Sequence, residues 1–336
     1  MRRVLTTSVA LIGAGALALS GCSDDNGTDA SGAAPGTPTV VTSTNVWASV
    51  ASAVGGENAT VTAMFTDPSA DPHEFEPSAA DTAEVADADL VVLNGGHYDQ
   101  YLEDAVADTG VPAVNAFELF EAHASDGEAQ ESDSAESGDD HAGHDHGDHD
   151  HADHDHSAMN EHVFYDLEVV GEVATQVGDQ LAEIAPDHAD AYRANAEAFN
   201  AEIDGLQENL AQIRTAHDGT EVAQTEPLAD YLLAEAGLVD AAPAGFTQAV
   251  EEGQSPSAAD RAALEDLLTG HEVHSLIYNT QAVDSVTEAV LATAQGANVP
   301  VVEFTETLPD GVDGYVAWQT AQIDALRTAL DSDTAH

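Results

Sequence analysis

The chain has 336 residues, a formal net charge of −57 at pH 7 and a single cysteine. It contains no lysine, and a field this negative argues against nucleic acid and anionic lipid headgroups as partners. One cysteine also excludes a disulfide within the chain and a thiolate metal cage. The charge attracts cations without selecting one, and it equally fits a surface adapted to salt or acid.

Residues 1–21 are predicted to be a lipoprotein signal peptide. Two arginines precede an apolar run over 4–19, which is shorter than the about 20 residues of a membrane-spanning helix. The run ends in Leu19-Ser20-Gly21-Cys22, which resembles a bacterial lipobox and predicts a lipid anchor on Cys22. An ordinary secretory signal is the alternative. Residues 22–38, mostly Gly, Ser, Asp, Pro and Thr, predict a flexible tether.

The chain from residue 39 onward alternates short β-branched runs with alanine-rich stretches, which predicts an α/β fold with mainly parallel sheets. We expect strands over 39–42, 59–63, 89–94, 111–114, 220–225, 274–279 and 299–304. We expect helices over 46–54, 78–86, 98–109, 166–184, 228–236, 257–269, 283–296 and 315–330.

A long helical pattern over 187–216 separates the two groups of strands. Its apolar residues recur at three- and four-residue steps, and at 1.5 Å per residue it would span roughly 45 Å. We interpret it as a rigid link between two α/β lobes, an amino-terminal one over 39–186 and a carboxyl-terminal one over 217–331. The alternative is a peripheral helix of one domain.

Residues 124–160 form a low-complexity insert of acidic residues and histidines, which predicts a disordered surface loop. Its seven histidines are His141, His144, His146, His149, His151, His154 and His156. Neutral imidazoles bind borderline metals such as Zn²⁺, but this spacing defines no geometry. The loop is therefore predicted to be an auxiliary, weaker metal site.

Metal-ligand residue types also occur in four segments beside predicted strand ends or the start of a helix. His73 lies in Asp71-Pro72-His73-Glu74-Phe75, and His162 lies in Asn160-Glu161-His162 before a predicted helix. Two carboxylates, Glu226 and Glu306, follow predicted strands of the second lobe. Ligands of open α/β sheets bind at the carboxyl ends of the strands, although each of these residues alone also fits an ordinary surface position.

The chain from about residue 40 to 330 resembles the zinc and manganese solute-binding proteins of ABC importers, the ZnuA/TroA-like family. The resemblance rests on motifs in order: DPHEFEPS, ADADLVVLNG, NEHVFYDL after a histidine-rich loop, YNTQ, and VPVVEFTETLPDG before a helix with Tyr315 and Trp318. It implies two (β/α)₄-like lobes joined by one long helix. It also implies a monomer that captures one metal ion between the lobes and delivers it to a membrane permease.

Carried over residue by residue, the resemblance implies that His73, His162, Glu226 and Glu306 are the metal ligands. Many zinc-binding members have histidine at the position of Glu226, and manganese-type members commonly have glutamate there. Carboxylates suit Mn²⁺ but are also accepted by Zn²⁺, and the histidine-rich loop favours zinc.

Two further residues receive little weight as ligands. Glu74 follows His73, but on an extended segment its side chain would point the other way. His97, at a strand-to-helix turn, more often serves as a capping residue. No catalytic arrangement is evident in the sequence, so an enzyme is not expected; a surface adhesin and a metal-dependent hydrolase remain the rival functions.

Overall fold

The computed structural model describes residues 36–133 and 160–332. The predicted signal peptide, Cys22, all but the last residues of the tether and the seven histidines of the insert lie outside the described residues. Within the described ranges, no helix combines the length and the apolar character needed to cross a membrane.

The amino-terminal lobe is a parallel four-stranded sheet in the order β2-β1-β3-β4. Its strands are β1 (Thr39–Thr44), β2 (Thr60–Phe65), β3 (Leu90–Leu93) and β4 (Ala113–Asn115). Its helices are α1 (Asn45–Gly55), α2 (Ala79–Asp87), α3 (Gln100–Thr109), α4 (Ala116–Asp133) and α5 (Leu167–Ile184). Because β3 is apolar and buried at all four positions, it forms the interior of the sheet with β1.

The carboxyl-terminal lobe repeats this topology, with a parallel sheet in the order β6-β5-β7-β8. Its strands are β5 (Glu221–Gln224), β6 (Val239–Asp240), β7 (Leu276–Asn279) and β8 (Val301–Phe304). The helices of this half are α7 (Asp230–Glu235), α8 (Ala244–Glu251), α9 (Ala258–Thr269), α10 (Ser285–Ala297) and α11 (Tyr315–Leu330). In both lobes the second strand in sequence lies on the opposite side of the first from the third, which creates a switch point where loops diverge.

The predicted long helix is α6 (Ala189–His217), with 29 residues. Its predicted apolar stripe is buried along the whole length: Tyr192, Ala196, Phe199, Ile203, Leu206, Leu210 and Ile213. One hydrophobic cluster includes this stripe, Trp47 of α1, and both Phe304 and Trp318 of the carboxyl-terminal half. The long helix therefore does more than link the two lobes, because it packs into a hydrophobic core that continues from one lobe to the other.

The sequence did not predict α4, α8 or the two-residue strand β6. The insert predicted to be disordered from residue 124 begins inside α4, which extends to Asp133, and its last residue, Asn160, is packed against the carboxyl-terminal lobe. The omission of α8 matters most, because this helix ends at the metal-ligand type residue Glu251.

Candidate metal centre

Two histidines of the amino-terminal lobe and a glutamate of the carboxyl-terminal lobe meet between the two sheets. His73 Nε2 lies 3.2 Å from Glu306 Oε2. His162 Nε2 lies 3.6 Å from the same oxygen. The structure thus brings together three of the four residues that the resemblance implied as ligands.

His73 is placed by a short 3₁₀ turn, Pro72–Glu74, in the loop after β2. The Asp71 carboxylate accepts a 2.8 Å hydrogen bond from the backbone N–H of His73 and caps this turn. The ring Nδ1 lies 3.2 Å from a carboxylate oxygen of Glu161. A histidine whose Nδ1 faces a carboxylate is oriented so that its Nε2 can bind a metal after losing its proton.

His162 is almost fully buried, with its side chain 1% exposed. Asn160 Oδ1 accepts a hydrogen bond from the His162 backbone N–H and lies 2.9 Å from His162 Nδ1. Because this oxygen is an acceptor, the His162 Nδ1 must be the donor, which leaves Nε2 as the free ring nitrogen. The Asn160 amide group donates to the backbone carbonyl of Pro227, so the second lobe helps to fix the ring.

Glu306 is fixed from both lobes just after β8. Its Oε2 accepts a 3.0 Å hydrogen bond from the Tyr98 hydroxyl of the amino-terminal lobe. Its Oε1 accepts a 2.8 Å hydrogen bond from Asn279 Nδ2 at the end of β7. Gln281 Oε1 accepts from the Glu306 backbone N–H at 2.7 Å. The carboxylate is therefore oriented before any ligand arrives.

Glu226, the fourth implied ligand, follows β5 and is buried, with 4% exposure. Asn279 Nδ2 donates to Glu226 Oε2 as well as to Glu306, because β7 lies between β5 and β8 in the sheet. In the part of the chain that the structure describes, Glu226 forms no ion pair with either histidine. Among the described residues, Glu226 thus shares its amide partner with Glu306 and pairs with neither imidazole.

The residue that sequence reasoning missed is Glu251, at the end of α8. One oxygen, Oε1, lies 3.6 Å from His73 Nε2 and 3.7 Å from His162 Nε2. His73, His162 and Glu251 offer three ligand atoms within 4.8 Å of one another, and Asp71 forms a similar group with His73 and Glu306. Pro243 before an AGFTQAVE segment was the available signal for a helix start, although Gly and Thr weaken the pattern.

In the described part of the chain, four polar atoms of this cluster are buried and make no hydrogen bond of regular geometry. They are the Nε2 atoms of His73 and His162 and both carboxylate oxygens of Glu251. Buried polar atoms are rarely left unpaired, and a bound ion is one of the explanations for those that are. The nitrogen–oxygen separations of 3.2 to 3.7 Å match the roughly 3.4 Å between donors around a tetrahedral ion with bonds of about 2.1 Å. The donor set therefore fits a small divalent cation.

The carboxylates govern the protonation of both histidines. Burial would lower the pKa of His73, but the contact with Glu306 and the charges of Glu306, Glu251 and Asp71 raise it to about 10. Burial likewise opposes the charged form of His162, yet Glu251 and Glu306 raise its pKa to about 9. Without a cation, both imidazoles are therefore protonated at neutral pH.

The two buried glutamates respond in opposite directions. Burial would raise the pKa of Glu306, but its contacts with His162 and His73 outweigh burial and lower the pKa below its usual range. Burial raises the pKa of Glu226 to about 8, and the neighbouring charges of Glu306 and Glu251 add to this effect. Glu306 is therefore the charged partner of the histidines, whereas Glu226 stays protonated at neutral pH.

The remaining candidates lie away from this cluster. Glu74 is exposed, but it lies in the 3₁₀ turn Pro72–Glu74, so the predicted extended segment is wrong. His97 is exposed and has a positive φ of 75° in the turn before α3, with its Nδ1 2.7 Å from Gln100 Oε1. The histidines of the insert lie outside the described residues.

The chain matches one known protein family over most of its length. The ZnuA family, described as zinc-uptake complex component A periplasmic, matches residues 40–329. The chain belongs to the ZnuA family. This match covers both sheets and all four residues that the resemblance implied as ligands.

Individual relatives of this ZnuA-family chain are distant. The high-affinity zinc uptake system protein ZnuA of Bacillus subtilis is 26% identical over 272 residues, 78% of each chain. The manganese-binding lipoprotein MntA of Halalkalibacterium halodurans is 27% identical over 201 residues, 57% of this chain and 54% of that protein. Among solved structures, the periplasmic zinc-binding protein TroA from Treponema pallidum superposes on this chain with a TM-score of 0.67 at 16% sequence identity. The superposition covers 88% of this chain and all of TroA.

Proposed function

We propose that this protein is an extracytoplasmic solute-binding protein that captures one divalent transition-metal ion between its lobes and delivers it to an ABC importer. The observation that carries the proposal is the convergence of two buried, unpartnered imidazole nitrogens on a carboxylate of the opposite lobe. Zinc is the favoured ion, with manganese as the alternative. Lipid anchoring at Cys22 and a monomeric state belong to the same proposal.

The donor chemistry supports zinc. Zn²⁺ takes imidazole and carboxylate ligands in a tetrahedron, whereas Mn²⁺ prefers more oxygen ligands in an octahedron. His73, His162 and Glu306 supply two nitrogens and a carboxylate, and a second carboxylate of the carboxyl-terminal lobe completes the set. Glu226 is the sequence-based prediction for that fourth donor. Four protein donors leave no coordination position for a reacting water, which favours capture over hydrolysis.

Contacts across the cleft support a site that changes little on binding. Asn45 of the first lobe exchanges two 3.0 Å hydrogen bonds with the backbone of Leu308 in the second. Gln281 Nε2 donates at 2.8 Å to the backbone carbonyl of Ala70. These bonds and the shared core along α6 favour small shifts around the ion over wide hinge opening.

The experiment that tests the function is an equilibrium titration of a variant lacking residues 134–156. This deletion removes the seven histidines of the insert and spares Asn160, which fixes His162. We expect one tight site that binds Zn²⁺ more strongly than Mn²⁺, in keeping with their general order of affinity. Additional weak sites of the full chain should disappear. Loss of all binding in the variant would place the true site in the insert and overturn the proposal.

Binding is expected to release protons and to weaken in acid. In the metal-free protein the pKa values of His73 and His162 are about 10 and about 9, so an ion must displace a proton from each ring at pH 7. The two imidazoles together should therefore release about two protons per ion. Calorimetry in two buffers with different protonation enthalpies measures this number. Identical heats in both buffers would contradict the protonated, metal-free cluster.

The same shifts set the direction of stability with pH for the metal-free protein. Because the pKa values of both histidines are raised on folding, to about 10 and about 9, their contribution is complete below the unfolded value near 6.5. It is lost as the pH rises through about 9 to 10. The metal-free fold therefore loses this stabilisation in alkali, where the metal-bound form becomes tightest.

A further inference from the structure

The geometry points to Glu251, at the end of α8, as the fourth direct metal donor of this site, in the place that sequence motifs assign to Glu226. This inference rests on the proposed function and deepens it.

The distances favour Glu251 over Glu226. The Oε1 atom of Glu251 lies 3.6 and 3.7 Å from the Nε2 atoms of His73 and His162. Glu306 Oε2 lies 3.2 and 3.6 Å from the same two nitrogens. Each carboxylate thus faces both imidazoles at the separation expected between neighbouring donors of a tetrahedral ion, roughly 3.4 Å. Each imidazole nitrogen therefore has one carboxylate oxygen of Glu251 and one of Glu306 within 3.7 Å.

The Glu251 carboxylate has no other partner that would explain its position. Both of its oxygens are buried and lack a hydrogen-bond partner, in contrast to Glu226, which accepts a hydrogen bond from Asn279. A carboxylate at the last residue of a helix also faces the unfavourable end of the helix dipole. Buried carboxylates persist when paired with cations. The two histidines and their cargo are the cationic partners within reach.

Glu251 also forms part of the wall between the site and an acidic cavity of about 690 Å³. The cavity is lined by five carboxylates: Glu161, Asp230, Asp240, Glu251 and Glu252. Glu161 is in turn 3.2 Å from His73 Nδ1, so two residues of this wall touch the cluster directly. Clefts lined by one sign of charge concentrate the opposite ion. The cavity therefore adds negative charge beside the cluster, which favours a cation there.

The test compares Glu251→Gln, Glu226→Gln and a matched control, Glu252→Gln, in the full chain. Glu252 is the next residue, lines the same cavity and is exposed. Zn²⁺ affinity is measured by competition with a chelator. The visible absorption of Co²⁺, added below one equivalent, reports the donor set. Circular dichroism confirms that each variant is folded.

We expect Glu251→Gln to lower Zn²⁺ affinity at least about tenfold, since even residues that only orient ligands cost that much, and to change the Co²⁺ spectrum. Glu226→Gln should affect both readouts less, and Glu252→Gln should leave both unchanged. The inference is overturned if Glu251→Gln behaves like Glu252→Gln, or if Glu226→Gln has the larger effect on the spectrum. His73→Ala is the reference: unchanged affinity in that variant would refute the proposed function itself.

Discussion

Replacing His162 by alanine is expected to lower the affinity for Zn²⁺ by more than about a hundredfold, because a direct donor contributes more than the residues that orient it. The ring is buried, its Nδ1 is fixed by Asn160, and its Nε2 has no partner other than the site. The loss also leaves the buried Glu306 carboxylate with one imidazole in place of two. Competition with a chelator of known affinity measures the change.

His97→Asn is the matched control for this experiment. His97 belongs to the same lobe but is exposed, and asparagine tolerates its positive φ of 75°. The control should bind as the unaltered protein does. Retention of affinity to within about twofold in His162→Ala would remove this residue from the ligand set, since a bound donor cannot be lost at so small a cost.

Replacing Trp47 by alanine is expected to lower the free energy of unfolding by about 3–5 kcal/mol, the usual cost of deleting a large buried aromatic side chain. Trp47 of α1 is fully buried in the core shared by the lobes. Its indole N–H also donates at 3.3 Å to Asn94 Oδ1. Asn94 in turn donates at 2.8 Å to the backbone carbonyl of Glu161, beside His162. The substitution therefore reaches the site as well as the core.

Trp47→Phe separates the two contributions. Phenylalanine keeps most of the buried volume, so it should lower the free energy of unfolding less than alanine does. It also removes the indole N–H and therefore the hydrogen bond to Asn94 Oδ1. Urea unfolding followed by circular dichroism measures both variants. Equal stability of Trp47→Ala and the unaltered protein would show that this part of the core does not support the fold.

The sequence predicted the sheets well because their strands are short β-branched runs between alanine-rich helices. Strand β3 (Leu90–Leu93) lies within the predicted 89–94, and β7 (Leu276–Asn279) lies within 274–279. The α/β class and the long helix were therefore confirmed. Strand β6 was not predicted because two residues are too few to show an alternating pattern. Helix α8 was not predicted because its eight residues include a glycine and a threonine, which weaken a helical pattern.

Only those residues of the candidate site that lie in recognisable sequence motifs could be predicted. His73, His162 and Glu306 each lie in a quoted motif, and the structure brings them together. Glu251 lies in no quoted motif, and its approach to the histidines depends on where α8 packs. That placement is a tertiary property, which local periodicity does not contain. The assignment of Glu226 as a ligand stays a prediction; in the structure its carboxylate accepts a hydrogen bond from Asn279, which also donates to Glu306.

The central claim is that one ion is held between the lobes by side chains of both. X-ray diffraction from zinc-loaded crystals, with an anomalous difference map at the zinc edge, tests it most directly. We expect the strongest peak about 2.0–2.1 Å from the Nε2 atoms of His73 and His162, with Glu306 and one further carboxylate completing a tetrahedron. A strongest peak remote from both imidazoles, with none between them, would contradict the account.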